Sequence, residues 1–492
     1  MKTSLRTHAL ALTCTTLLAC GPLRAQSPNP DFQQKLDALS QQLAAAKDRL
    51  RQSQAEIDAL QRELDTMRAQ LPAPSTTQAA NPPSSSAADA AEKLEIVEAE
   101  VKQQAQTKVE STSKYHVQIS GLVLFNTFLN NGAVDQLDLP SYAQASTAGV
   151  ARSAFGATLR QTMLGLTAEG PHVLGARTSA DVFFDFFGGT PTEAYGTVAG
   201  VVRMRTGGVH LDWSNDSIEA GMEAPLISPL SPTSYASVAE PALSWAGNLW
   251  TWAPQLSYKH RFGPLGPGRL TFEFGLWDSP AAGYNTGTTS RTASAGERSA
   301  QPAYETRIAW SRDQRANTDF QVGMGGYYSR QSYTGRAGDS WAVTGDWQIP
   351  VTAHFQFSGE LYRGRALAGL GAGLYKDVVP GTDPVTGAAT FRLLNTAGGW
   401  AQAKFRMPHQ VEWNSMFGLD DAFTRDFESL VPAAGYGGYN PRVRNQVIAT
   451  NLIFAPKTYF VLSPEYKHIR TSPYEGSPTA ADILTFSIGL RF

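Results

Sequence analysis

Residues 249–262 read LWTWAPQLSYKHRF. Side chains alternate across a strand, so Trp250, Trp252, Leu256, Tyr258 and Phe262 share one face, and Thr251, Gln255, Ser257, Lys259 and Arg261 share the other. One face is oily and one is wet, over more than the roughly ten residues that a tilted strand needs to cross a bilayer.

The split recurs at Leu270, Phe272, Phe274 and Leu276, at Trp341, Val343, Trp347 and Ile349, and at Leu484, Phe486, Ile488, Leu490 and Phe492. Soluble sandwiches alternate too, so the connections decide. Sixteen strands are expected near 115–130, 155–168, 175–187, 200–213, 216–222, 249–262, 269–278, 301–311, 318–329, 339–350, 352–363, 395–406, 410–419, 441–454, 458–468 and 482–492. Connections mostly alternate between long (131–154, 223–248, 279–300, 364–394, 420–440) and short (169–174, 263–268, 407–409, 455–457). Long loops on one rim and tight turns on the other mark a membrane barrel, because only closure removes unpaired strand edges in lipid. The expected fold is an all-β transmembrane barrel of 16 antiparallel strands over 115–492, preceded by an N-terminal α-helical coiled coil.

Composition separates this body from what precedes it. Of 10 Trp, 17 Tyr and 23 Phe in 492 residues, only Phe32 precedes Tyr115, and of 44 glycines only Gly21 precedes Tyr115. Nothing after Leu18 approaches the run of about 20 apolar residues of a helical span, which excludes a polytopic helical membrane protein. Residues 1–25 carry Lys2 and Arg6, an apolar middle from Ala9 to Leu18, and Leu23-Arg24-Ala25 at the cut, the pattern of a secretory signal. Leu17-Leu18-Ala19-Cys20 also resembles the lipobox of bacterial lipoproteins, which leaves lipidation of Cys20 open. Cleavage after Ala25 removes Cys14 and Cys20, and with them disulfide and thiolate chemistry. It also takes Lys2, Arg6 and Arg24 from 41 basic residues, leaving 38 against 43 acidic ones, a net charge of −5. That balance does not suggest a nucleic-acid partner.

From Phe32 to Leu71, apolar residues follow alternating spacings of four and three: Phe32, Leu36, Leu39, Leu43, Ala46, Leu50, Ile57, Leu60, Leu64, Met67 and Leu71, with Ser53 the one polar member. A mean repeat of 3.5 winds helices left-handed around each other, so a coiled coil is expected over 31–71. Residues 72–90 form a flexible Pro/Ser/Ala linker, and 91–114 a short polar helix. The heptads alone do not fix the number of strands.

Asp185-Phe186-Phe187-Gly188, the basic strand Arg203-Met204-Arg205, the long third loop after Gly221 and the terminal Phe492 resemble the trimeric bacterial outer-membrane porins. Within them the chain is most similar to the DcaP-like porins, which carry an N-terminal coiled coil. The likeness covers the whole mature chain in architecture. It implies a water-filled channel for passive diffusion of small hydrophilic solutes, without a cofactor. It also implies a homotrimer among outer-membrane lipid and lipopolysaccharide, with the coiled coil in the periplasm. In porins the third loop folds into the barrel and narrows it; here that loop runs from Glu223 to Asn248, with Glu223 and Glu240 its only charges. The acidic eyelet motif of general porins has no clean counterpart.

If apolar faces meet lipid, the opposite faces line the pore. The basic candidates are Arg177, Arg203, Arg205, Lys259, Arg261, Arg307, Lys404, Arg406, Arg442, Arg444 and Arg491; the acidic ones are Asp181, Asp185, Glu273, Glu305, Asp346, Glu360 and Glu412. The basic excess favours small anionic or carboxylated solutes, unless the charges sit at the rims or pair with each other. Arg203 and Arg205 share parity with Val209, Leu211 and Trp213, a conflict that a bulge at Gly207-Gly208 would resolve, turning His210 and Asp212 inward. The eight histidines are scattered, with no HExxH helix and no GxSxG elbow, so no catalytic or metal site is expected. The other readings are a tether to the cell wall and a barrel enzyme such as a phospholipase.

Overall fold

A computed structural model describes residues 116–147, 152–189, 200–278, 292–312, 320–333, 335–430, 441–457 and 459–492. The signal, coiled coil, linker and short helix expected before residue 115 lie outside the described residues.

The strands are β1 (Val117–Asn131), β2 (Ser153–Thr158), β3 (Met163–Glu169), β4 (Arg177–Asp185), β5 (Arg203–Asp212), β6 (Asp216–Glu223), β7 (Ala253–Leu265), β8 (Gly268–Trp277), β9 (Ala303–Arg312), β10 (Phe320–Tyr333), β11 (Arg336–Pro350), β12 (Phe355–Arg365), β13 (Val378–Thr382), β14 (Ala389–Leu393), β15 (Asn395–Met407), β16 (Val411–Ala422), β17 (Arg442–Lys457), β18 (Phe460–Pro473) and β19 (Thr479–Arg491). β13 and β14 pair only with each other, as a hairpin inside the long β12–β15 loop. β2 and β3 both pair with β1 and form one wall. The result is sixteen antiparallel walls, closed where β1 meets β19 from Leu122↔Arg491 to Asn131↔Asp482. Closure leaves no open sheet edge among these walls.

Outside, the alternation places Leu256, Phe274, Ile308, Val343, Leu361, Phe417, Leu452 and Leu484 in exposed positions. Towards the tight-turn rim, rings stack across strands: Phe355 on Phe405 at 4.6 Å, and Phe405 on Trp413 at 5.2 Å. Such an apolar band with an aromatic girdle suits lipid. Phe492 seals the seam, its main-chain oxygen accepting from the Gly121 N–H at 2.9 Å.

Two bulges set what points inward. Residues 159–162 stand against only three residues of β1, between Asn126↔Thr158 and Leu122↔Met163. The Thr162 hydroxyl accepts from the Leu124 N–H at 3.1 Å, and Gln161 is turned fully inside. In β5 an extra residue falls between Met204 and Gly207, opposite Val182–Phe184. This switches faces one step earlier than Gly207-Gly208. Both glycines stay in the ladder, where a Cβ on Gly207 would stand 2.7 Å from the Asp181 oxygen.

One expected strand starts late. Trp250 and Trp252 do not share the oily outer face of β7; they belong to the incoming loop, and β7 begins at Ala253. Trp250 is buried, its N–H donating to the Tyr375 hydroxyl at 2.7 Å.

Candidate functional site

Residues 224–252, between β6 and β7, turn into the barrel and run round its inner wall as a belt. Polar side chains at inward positions hold the belt's main chain, strand after strand. Glu305 of β9 accepts from the Leu226 N–H at 2.7 Å, and Thr344 of β11 donates to the Ile227 oxygen at 2.7 Å. Glu360 of β12 accepts from the Ser228 hydroxyl at 2.5 Å and the Leu230 N–H at 2.8 Å. Gln402 of β15 accepts from the Thr233 N–H at 2.7 Å, Asn451 of β17 donates to the Thr233 oxygen at 2.9 Å, and Glu465 of β18 accepts from the Ser234 hydroxyl at 2.5 Å. Asn126 of β1 donates to the Tyr235 oxygen, while Arg491 of β19 donates to the Tyr235 hydroxyl. Gln161, delivered by its bulge, donates to the Ala236 oxygen at 3.0 Å and accepts from the Val238 and Ala239 N–H groups at 2.7 and 3.1 Å.

A buried carboxylate without hydrogen bonds is costly. Glu305, Glu360 and Glu465 meet that cost with loop N–H and O–H groups, so they serve as anchors rather than as charges in the water path.

The belt closes at β5. Arg205 donates to the Val238 oxygen and Arg203 to the Ala239 oxygen, each at 2.7 Å. Both also reach Asp185, which is fully buried: Arg203 at 2.6 Å and Arg205 at 3.4 Å. The Trp252 ring lies 4.7 Å from the Arg205 guanidinium and 5.5 Å from that of Arg203. Phe187 carries Arg160 at 4.3 Å and Arg203 at 5.7 Å. Cations over aromatic faces gain from the ring quadrupole, which fixes both guanidiniums. Two cations therefore share one carboxylate. Beside them is Glu240, whose carboxyl burial pushes up to about 7, against the pull of Arg203.

On its return the belt lies close on the wall. Gly247 (φ +95) faces Gly399, whose oxygen would be 2.2 Å from a Cβ there, and a Cβ on Gly418 would be 2.1 Å from the Ala246 oxygen. Trp245 packs between Tyr142 at 5.2 Å and Tyr375 at 4.0 Å. A cavity of about 140 Å³ remains against β5–β8, lined by His210, Asp212, Ser217, Glu219, Lys259 and Arg261 among others.

Most of the remaining expected charges are paired. Asp181 lies 3.4 Å from His210, which is 3.5 Å from Glu219. Lys259 meets Glu273 at 2.6 Å, and the buried Arg307 bridges Glu273 at 2.6 Å and Asp346 at 2.8 Å. Lys404 meets Glu412 at 3.3 Å, Arg406 donates to Gln356 at 2.7 Å, and Arg261 to Ser217 at 3.0 Å. Arg442 covers the Tyr142 ring at 3.8 Å. Arg177 is exposed at the start of β4, and Glu223 is half-buried at the end of β6.

Arg444 leaves the inward set. It shares the parity of Ile448 and Leu452 and stands on the outer face with them, paired with Asp421 at 2.7 Å, while the register shift between Arg442 and Arg444 separates it from Arg442. Beside Asp212, the residues Glu219, Asp420, Glu465 and Lys467 join the inner face, so its charge is more even than the sequence parity indicated. Among the described residues no group of three His, Cys, Asp or Glu is placed to hold a metal ion.

No protein-family model matches the chain, and no curated protein does. Among solved structures, the outer membrane channel DcaP of Acinetobacter baumannii is similar at a TM-score of 0.58, with 14% identity over 78% of this chain and 99% of that one. An anion-selective porin from Comamonas acidovorans is similar at a TM-score of 0.48, with 12% identity over 77% of this chain and 100% of that one. The fold is that of a porin-like sixteen-stranded barrel.

Proposed function

We propose that the chain is an outer-membrane channel through which small hydrophilic solutes diffuse passively, with a preference for anions and carboxylates. The observation that carries this reading is the belt: a 29-residue loop held against the inner wall of a closed barrel, ending at two guanidiniums that share one carboxylate. A belt narrows a lumen while leaving it wet, and an excess of fixed positive charge at the narrowing raises local anion concentration. Glu223 flanks the water path below the belt with Asp181, Lys259 and Arg261. Three copies assemble through the outer face of β3–β6, and the N-terminal coiled coil extends into the periplasm.

Liposome swelling with sugars tests the channel, since a tether or a closed barrel enzyme gives no swelling. Planar-bilayer recording in a salt gradient tests the preference. Substituting Arg203 and Arg205 by Ala should move the reversal potential towards the cation side. An unchanged potential removes those two side chains from selectivity.

A further inference from the structure

The cavity against β5–β8 is built by two adjoining rows of inward side chains. One row reads His210, Glu219, Ser257 and Gly275 across the four strands, and the next, towards the tight-turn rim, reads Asp212, Ser217, Lys259 and Glu273. Ser217, Ser257 and Gly275 are the small members, and a recess of about 140 Å³ opens between their larger neighbours. Leu226, near the start of the belt, lines it too and packs on Gly275, 2.9 Å from where a Cβ would stand.

Charge is divided across the recess. On the β5–β6 side, Asp212 makes no hydrogen bond or ion pair among the described residues. Glu219 meets His210 alone, at 3.5 Å, and the buried His210 Nε2 has no hydrogen-bond partner, with Asp181 3.4 Å away. On the β7 side, Lys259 is occupied by Glu273, which Arg307 also holds. Arg261 forms no ion pair among the described residues: only its Nη1 donates, to Ser217 at 3.0 Å, which leaves Nε and Nη2 open along one edge of the guanidinium.

This division selects a class of solute. A simple anion in the recess meets Asp212 and Glu219, and a simple cation meets Arg261. A solute that carries an ammonium and a carboxylate a few bonds apart satisfies both sides at once. Guanidinium takes a carboxylate through two parallel N–H groups, and Nε with Nη2 is such a pair. Carboxylates with open oxygens accept from an ammonium, and a cleft walled by protein concentrates the field between the two sides. The apolar Leu226 side chain is left to cover a short aliphatic group.

We propose that this recess is a subsite for zwitterionic solutes, α-amino acids with a short side chain above all, with the ammonium on Asp212 and Glu219 and the carboxylate on Arg261. The inference rests on the channel reading of the preceding subsection and goes beyond it. The arginines at the belt act on net charge, whereas the recess reads the separation of two charges within one neutral solute.

The test is saturation-transfer NMR on the detergent-purified full chain, with L-alanine as the probe. Saturable binding is expected, with propionate and ethylamine, each lacking one of the two charges, at least about tenfold weaker. D212N and R261Q should each lose about tenfold, and R312Q, at the tight-turn rim away from the recess, should lose none. Asp212 holds no partner in the fold, so D212N decides the matter even where R261Q fails to fold. Equal binding of propionate or ethylamine, or full retention of alanine binding by D212N or by folded R261Q, overturns the proposal. Swelling of liposomes in sugar is measured in parallel: its absence speaks against the channel and not against the recess, whereas swelling without alanine binding overturns the recess alone.

Discussion

Glu240 is the one ionisable side chain of the belt that titrates near neutrality, because burial pushes it up to about 7 while Arg203 pulls the other way. Between the ordinary value near 4.5 and about 7 the folded chain holds this proton and the unfolded chain does not. Stability from this group therefore falls as pH rises through that window. Above pH 7 its negative charge faces the Arg203–Arg205 pair, and the anion preference should weaken, by about twofold in permeability ratio between pH 6 and pH 8. Reversal potentials across that range measure it, and Glu240→Gln should flatten the curve; an equal slope in the variant assigns the titration elsewhere. Parity in the sequence shows which way such a side chain faces, but not what it meets. Gln161 carries three contacts to the belt yet gives no signal, since its inward turn depends on a bulge and these partners are main-chain groups 75 or more residues away.

At the scale of strands and loops, period-two alternation made all sixteen walls legible, because each wall has one face against the apolar outside and one against water or polar loop. What alternation does not encode is where the wall stops. Trp250 and Trp252 continue the pattern of β7, but they pack on Tyr375 and under two guanidiniums, since an aromatic residue finds an apolar surface as readily on an inward loop as in lipid. The β13–β14 hairpin was equally hidden, being short and paired only with itself. The belt's return path was invisible for another reason: it depends on glycines at the point of closest approach. Gly418→Val would drive a side chain into the Ala246 oxygen. We expect a loss of about 1–3 kcal/mol by overpacking, seen as a lower thermal midpoint, together with a larger and noisier single-channel conductance as the belt lifts. A conductance identical to the parent's would mean that this contact does not hold the constriction.

For the whole molecule, the walls are unequal. β4, β5 and β6 have 9, 10 and 8 residues, and β3 is the 7-residue continuation of β2 in one wall, against 14, 15 and 16 in β10, β11 and β17. A tilted strand needs about 9–11 residues to span the hydrocarbon layer, so the β4–β6 part of the β3–β6 sector is marginal or too short to face lipid alone. Its outward strand residues, among them Leu166, Ala180, Val182, Val209, Ile218 and Ala220, include no tyrosine or tryptophan, Trp213 standing just past the end of β5, whereas β7–β11 present Tyr258, Tyr304, Trp310, Tyr328, Trp341 and Trp347. A low wall whose one interfacial aromatic of this kind is Trp213 suits burial against another copy, and this is why the proposed trimer is placed there. Ala220→Trp should wedge that face apart and give monomers by light scattering in mild detergent, each keeping its channel. Gly326→Trp, on the tall wall where a Cβ meets only Thr306 at 3.8 Å, should leave the assembly intact. Trimers that survive Ala220→Trp while Gly326→Trp breaks them would move the contact to the opposite side of the barrel and leave the low wall to be covered by a thinned bilayer.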